Sequence, residues 1–162
     1  MLNSEVDDLQ EWIHRHIPYA FQYACEHWAD HLGEITVDRN GKMEVDSLLE
    51  VFAKRTLLFW IEVMGLLGKA KEAVLLVRSA KTWVTVRGVD ARFDPSLLPL
   101  LRDAERFVME YMDVIHASSL HTYISALAIA PVNSQIRSTY GNLISAGPNI
   151  LKGGDTDWSN YL

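Results

Sequence analysis

Cysteine is nearly absent from this chain: Cys25 stands alone among 162 residues, so no intramolecular disulfide can form and a reducing compartment fits. Cys25 falls in an apolar stripe, where a thiol packs as an inert hydrophobe. Clusters of basic residues are missing as well. Fifteen Lys and Arg stand singly against 21 Asp and Glu, giving a net charge of −6. A phosphate backbone needs clustered cations, so a nucleic-acid partner is excluded. Long apolar runs are also lacking: the longest, residues 57–67, is interrupted by Glu62 and is too short to cross a bilayer. The first residues turn acidic at Glu5 without a basic-then-apolar leader, so no signal peptide is expected and the protein is expected to be cytoplasmic. No repeat of 20–50 residues occurs, which argues against a solenoid.

What the chain does have is 49% apolar residues at one-domain length, enough for a sizeable core. The apolar positions recur at helical spacing. Ser4 with Asp7 resembles a capping box ahead of Val6, Leu9 and Ile13. Pro18 suits a helix start, Phe21, Ala24, Cys25, Trp28 and Leu32 form one stripe, and Gly33 suits its end. Residues 34–44, with Asn40-Gly41, read as a loop. A helical pattern over 45–67 divides near residues 54–56, its second half apolar nearly all round, and Gly68 breaks it. The next stripe runs Ala70, Ala73, Val74, Val77, Ala80 and Val84, although WVTVRG is β-branched enough to be extended. Asp94-Pro95 opens a long amphipathic helix through Ile115. A last apolar helix covers about 120–129, Pro131 stops it, and Asn133 can cap one short turn more. From Gly141 onward periodicity is lost. The expectation is an all-α bundle of six or seven helices over residues 1–140, with an irregular tail or linker over 141–162.

Catalytic constellations fail on their spacing. Gly65-Leu66-Leu67-Gly68-Lys69 resembles the end of a phosphate loop. The first glycine of G-x-x-x-x-G-K-[ST] would fall at Val63, however, and Ala70 stands where magnesium needs a hydroxyl. A glycine-terminated helix explains the run. His27 and His31 at i, i+4 can share a helical face and hold a metal, but no third ligand is dictated and H-E-x-x-H is absent, so histidines flanking a core stripe are the better reading. Ser118, Ser119 and His121 lie close together without a G-x-S-x-G elbow, and helix capping accounts for the serines. No catalytic residue, metal ligand or cofactor site is expected. Of the five tryptophans, four fall on expected helices as core or groove anchors, and Trp158, in the polar tail, is the candidate for an interdomain contact.

Several segments in order carry a family resemblance. They are YACEHWADHL (23–32), LLFWIEVMGLLG (57–68), Asp103-Ala104-x-Arg106-Phe107-Val108, Leu120-His121-x-Tyr123-x-Ser125-Ala126-Leu127, Ala130-Pro131-x-x-Ser134, Ile136-Arg137 and Trp158-Ser159. Together they cover most of the chain and resemble the helical region that follows the nucleotide-binding module in fungal NACHT proteins with C-terminal WD repeats. Those are signal-transducing NTPases of the heterokaryon-incompatibility type, associated with fungal innate immunity. The resemblance implies structural roles for Tyr23, Trp28, His31, Trp60, Glu62, Arg106, Phe107, Tyr123, Pro131 and Arg137: Trp28 and Trp60 packing between helices, and His31 bonding a neighbouring carbonyl or side chain. It implies a non-catalytic module whose partners are proteins: the neighbouring nucleotide-binding and WD-repeat domains, or a full-length relative. Nucleic acid and membrane are not among them. These 162 residues contain neither Walker motifs nor WD repeats, so NTP hydrolysis is not carried over to them. A stand-alone adaptor binding a partner helix or peptide in a tryptophan-lined groove is the alternative. A membrane-active role for the core helix is disfavoured by Glu62 and the acidic charge.

Overall fold

The computed structural model describes residues 2–35, 39–87, 93–144 and 155–158, with residues 39–43 described by their backbone alone. After a 3-10 turn at Asn3–Glu5 come α1 (Leu9–His16), α2 (Tyr19–Glu34) and α3 (Arg39–Val51). A π-helical segment (Phe52–Thr56) joins α3 to α4 (Leu57–Leu66), and α5 (Ala70–Arg87) and α6 (Leu97–Ala117) follow. A second π-helical segment (Thr122–Leu127), α7 (Gln135–Tyr140) and a 3-10 turn (Gly141–Leu143) complete the order. Among the described residues there is no strand; the fold is an all-α bundle of seven α-helices.

The core forms where the stripes meet. α5 turns Ala73, Val77, Ala80 and Val84 onto Leu97, Leu101, Ala104 and Val108 of α6, all buried. Small residues on one helix let the other approach closely. α4 lies inside, with Leu57, Leu58, Trp60, Ile61, Met64 and Gly65 buried. A helix apolar nearly all round is covered by its neighbours over most of its surface, and here Phe59 alone among its large apolar side chains stays exposed. Gly65 marks a close approach to α6: a methyl placed there would sit 2.9 Å from both Cγ2 and the carbonyl oxygen of Ile115. α4 ends as its glycine requires. Gly68 takes φ +71°, the Lys69 N–H donates to the Met64 carbonyl (2.7 Å) and the Gly68 N–H to that of Gly65 (3.1 Å). This is a Schellman terminus, and the Gly-Leu-Leu-Gly-Lys run is a helix end.

Several local expectations are corrected. Residues 39–44 of the expected loop belong to α3, Asn40-Gly41 included. The stripe from Val45 through Leu49 to Phe52 packs against the core and anchors the helix, and extending an anchored helix upstream costs little per residue. Ser4 is not a cap: it lies in the first 3-10 turn, and Asp8 precedes α1 with φ 55°, a conformation aspartate tolerates. Gly33 lies inside α2. WVTVR is helical to Arg87, because burial of Val84 and the stacking of Arg87 on Trp83 (4.2 Å) outweigh β propensity. Ser134, not Asn133, caps α7, its Oγ accepting the Arg137 N–H at 3.1 Å. The irregular tail is described only at 141–144 and 155–158; its other residues lie outside the described ones.

The π-helical segment at Phe52–Thr56 falls where the pattern divides the 45–67 stretch. Widening a helix to i→i+5 bonding misplaces backbone groups, and such bulges persist where something else completes them. Here Tyr140, buried at the far end of the chain, does so: its hydroxyl donates to the Ala53 carbonyl (2.8 Å) and accepts the Leu57 N–H (3.1 Å). Burial pushes the Tyr140 phenol up to about 12, so it stays a donor throughout the accessible pH range.

Glu105, buried on α6, is held by Lys81 and by Arg78 (2.7 Å), both from α5. Burial alone would raise its carboxyl; the bonds from Lys81 and Arg78 outweigh it and hold the group below the ordinary 4.5. A folded pKa below the unfolded value gives stability that is complete above 4.5 and disappears as pH falls through the depressed value. The stability difference between wild type and Glu105→Gln is therefore expected to be constant near neutrality and to shrink below pH 4.5. Urea denaturation from pH 3 to 7 measures it, and a difference that does not change with pH would refute the pairing.

Candidate functional site

α2, α3 and α4 enclose an apolar groove of about 590 Å³. The stripe of α2, followed by Ile35, supplies one wall through Phe21, Ala24, Cys25, Trp28 and Leu32; α3 supplies the other through Val45, Leu48 and Leu49. Phe52 and Thr56 of the π-helical segment, with Phe59, Trp60 and Val63 of α4, close it. Three aromatic rings meet in it: Trp28 lies 4.6 Å from Phe52 and crosses Trp60 edge-on at 5.6 Å, while Phe52 and Trp60 are 6.0 Å apart. The Trp60 indole N–H donates to the Cys25 carbonyl at 2.9 Å, which ties α4 to the middle of α2. Among the described residues no charged side chain lines the groove, and the Thr56 hydroxyl is turned back to the Phe52 carbonyl (3.1 Å). Burial, then the neighbouring Glu26 carboxylate, push the Cys25 thiol up to about 11, which leaves it an unreactive part of the wall.

The other residues singled out by resemblance are dispersed around the bundle. Tyr23 is exposed on α2, its ring 4.5 Å from His27 and 6.2 Å from His31. His31 lies 3.8 Å from the Glu34 carboxylate, and His27 lies 3.4 Å from Asp30. Each imidazole has its own carboxylate within a helical turn, and no group of three metal-ligating side chains occurs among the described residues. Glu62, the charge that interrupts the apolar helix, accepts the Tyr123 hydroxyl at 2.7 Å. Burial and that bond drive the Tyr123 phenol well above its usual range. Phe107 is wholly buried against Tyr111 at 5.3 Å, and Arg106 is exposed one residue earlier. The Pro131 carbonyl accepts the Ser134 N–H (3.0 Å), and Arg137 donates to the Ala130 carbonyl (2.7 Å), which closes the turn between the second π-helical segment and α7. His121 bonds Ser125 (2.7 Å).

Trp158 is placed otherwise than expected. Its indole N–H donates to Asp103 of α6, and its ring lies 6.2 Å from Tyr111. Asp103 also accepts the Ile136 N–H (2.8 Å) at the start of α7, so one buried carboxylate joins α6, α7 and the 155–158 segment. Asp155 and Thr156 carbonyls accept the N–H groups of Val132 and Asn133, both at 3.0 Å. The ring is used within the chain. Sequence reasoning missed Asp103 and Tyr140 as organising polar groups, and Leu48 and Phe52 as groove residues. Asp103, an acidic residue amid the apolar positions of α6, was the available signal.

Fold and groove together define a helical bundle with a deep aromatic apolar groove on one face. In comparisons with known proteins, no family model and no solved structure matches. Over 125 residues the chain is 28% identical to vegetative incompatibility protein HET-E-1 of Podospora anserina, an alignment covering 74% of this chain and 9% of that protein. The chain thus corresponds to less than a tenth of the length of this relative. No helix among the described residues is long and apolar enough to cross a membrane.

Proposed function

We propose that this chain is a non-catalytic helical module of a NACHT-type signalling protein, an arm that joins a nucleotide switch to sensor repeats. The observation that carries the reading is the similarity to HET-E-1, which extends over most of this bundle but over a small fraction of that much longer protein. Its architecture suits such a role. α6, 21 residues and about 30 Å long, packs against α5, α4, α7 and the second π-helical segment, so a displacement at one end is carried through a rigid core. An arm of this kind transmits reorientation of a sensor to a switch as a rigid body. The chemistry would belong to the neighbouring nucleotide module, with the bundle supplying geometry.

The test is the transcript across this reading frame, followed by replacement of the bundle in its parent. The frame is expected to continue upstream into a G-x-x-x-x-G-K-[ST] loop and downstream into WD repeats. Replacing residues 9–143 by a flexible linker is then expected to abolish the dependence of nucleotide exchange on sensor occupancy. A message that lacks both modules, or coupling that survives the replacement, overturns the arm reading.

A further inference from the structure

We propose that the groove around Trp28 and Trp60 is a docking site for an amphipathic helix of about four turns, apolar on the face it inserts and flanked by lysine or arginine. This reading stands apart from the arm function, because it concerns one face of the bundle whatever the parent carries. The first support is dimension. The α2 wall runs from Phe21 to Ile35, fourteen residues on, so the trough is about 20 Å long, the length of a four-turn helix. Helix-in-groove recognition uses such an apolar channel with anchors at i, i+3, i+4 and i+7.

The rim separates a helix from a small hydrocarbon ligand. Phe21, Leu48 and Phe59 stand along the opening and remain 52%, 62% and 43% exposed. A ligand confined to the aromatic floor leaves these three in water, whereas a helix about 10 Å across covers all of them. Trp158 of the described tail is committed to Asp103 on α6, and neither it nor Leu143 or Ile144 lines the groove.

Charge separates a basic partner from a second copy of this chain. Residues 19–63, which build the groove, contain eight acidic and four basic residues. Of these, Lys54 is paired with Asp94 at 2.7 Å, Glu26 is paired with Lys69 at 3.2 Å, and Asp46 lies 4.0 Å from Arg87. Exposed Glu34 and Glu44 adjoin the lining residues Ile35 and Val45 in sequence, exposed Arg55 stands beside Thr56, and the Glu62 carboxylate is engaged by the Tyr123 hydroxyl. Two such faces brought together repel, while a helix with basic flanks gains attraction and faster encounter.

The test is selection from a displayed library of 18-residue helix-favouring peptides on the 162-residue chain. Enriched peptides are expected to share an apolar stripe at i, i+3 or i+4, and i+7, to carry net positive charge, and to shift tryptophan emission saturably. Leu48→Glu, at an exposed position that leaves the core intact, is expected to weaken binding about tenfold or more. Phe21→Glu serves as a second variant, and circular dichroism confirms the helicity of each. Glu34→Lys combined with Glu44→Lys is expected to weaken binding at low salt and less at high salt. Peptides enriched without a stripe, or bound equally by Leu48→Glu and Phe21→Glu, overturn the proposal. It is equally overturned if the wild-type chain dimerises and Leu48→Glu abolishes the dimer, or if the groove copurifies with lipid that the peptides fail to displace.

Discussion

Trp60→Ala is expected to lower the stability of the bundle by about 3–5 kcal/mol, the range for deleting a buried aromatic. Trp60 is 5% exposed, crosses Trp28 edge-on, touches Phe52 and bonds the Cys25 carbonyl. Alanine removes the floor of the groove together with the link between α4 and α2, and the surrounding helices cannot close the space without separating Trp28 from Phe52. Trp60→Phe retains most of the packing and loses the indole donor, so a smaller loss of about 1–2 kcal/mol is expected. Urea denaturation followed by far-ultraviolet circular dichroism measures both without relying on tryptophan emission. Losses below about 1 kcal/mol for alanine would place Trp60 outside the cooperative core.

Gly65→Ala and Gly33→Ala are expected to change stability in opposite directions, although both glycines lie inside helices. Alanine is favoured over glycine within a helix by about 1 kcal/mol. A side chain at Gly33 meets nothing within 4 Å, so that gain is expected in part or whole. At Gly65 the added methyl meets Cγ2 and the carbonyl oxygen of Ile115, each at 2.9 Å. A flexible side chain can rotate aside; the Ile115 backbone carbonyl, in the last turn of α6, moves only if that turn moves. A net loss of about 1–3 kcal/mol is therefore expected, as for other overpacked cores. Thermal denaturation of the two variants side by side decides the matter. Stabilisation by Gly65→Ala would mean that α4 and α6 are further apart than described.

The helices were legible because helix formation is read from local spacing. Ala73, Val77, Ala80 and Val84 recur at turns of one helix, and no distant residue has to be known to see it. The end of α4 was equally legible, since a glycine following an apolar run supplies the left-handed residue that a Schellman terminus requires. Boundaries set by neighbours were not. Asn40-Gly41 has the composition of a turn, yet the helix anchored by Val45, Leu49 and Phe52 extends through it. WVTVR has β-branched composition, yet packing of Val84 against the core decides for helix. Tyr140 and Asp103 gave no sign of their partners, because those partners are backbone groups 87 and 33 residues away.

By itself, then, the sequence determined an all-α chain without a basic surface, a disulfide or an apolar segment long enough to span a membrane, and it marked Trp28 and Trp60 as positions to watch. The tertiary structure alone decided that these two rings meet, and that α3 stands away from α2 far enough to leave an open groove between them. The physical reason lies in range. Periodicity records which face of a helix turns inward, whereas the space left between two such faces depends on how every other helix packs behind them.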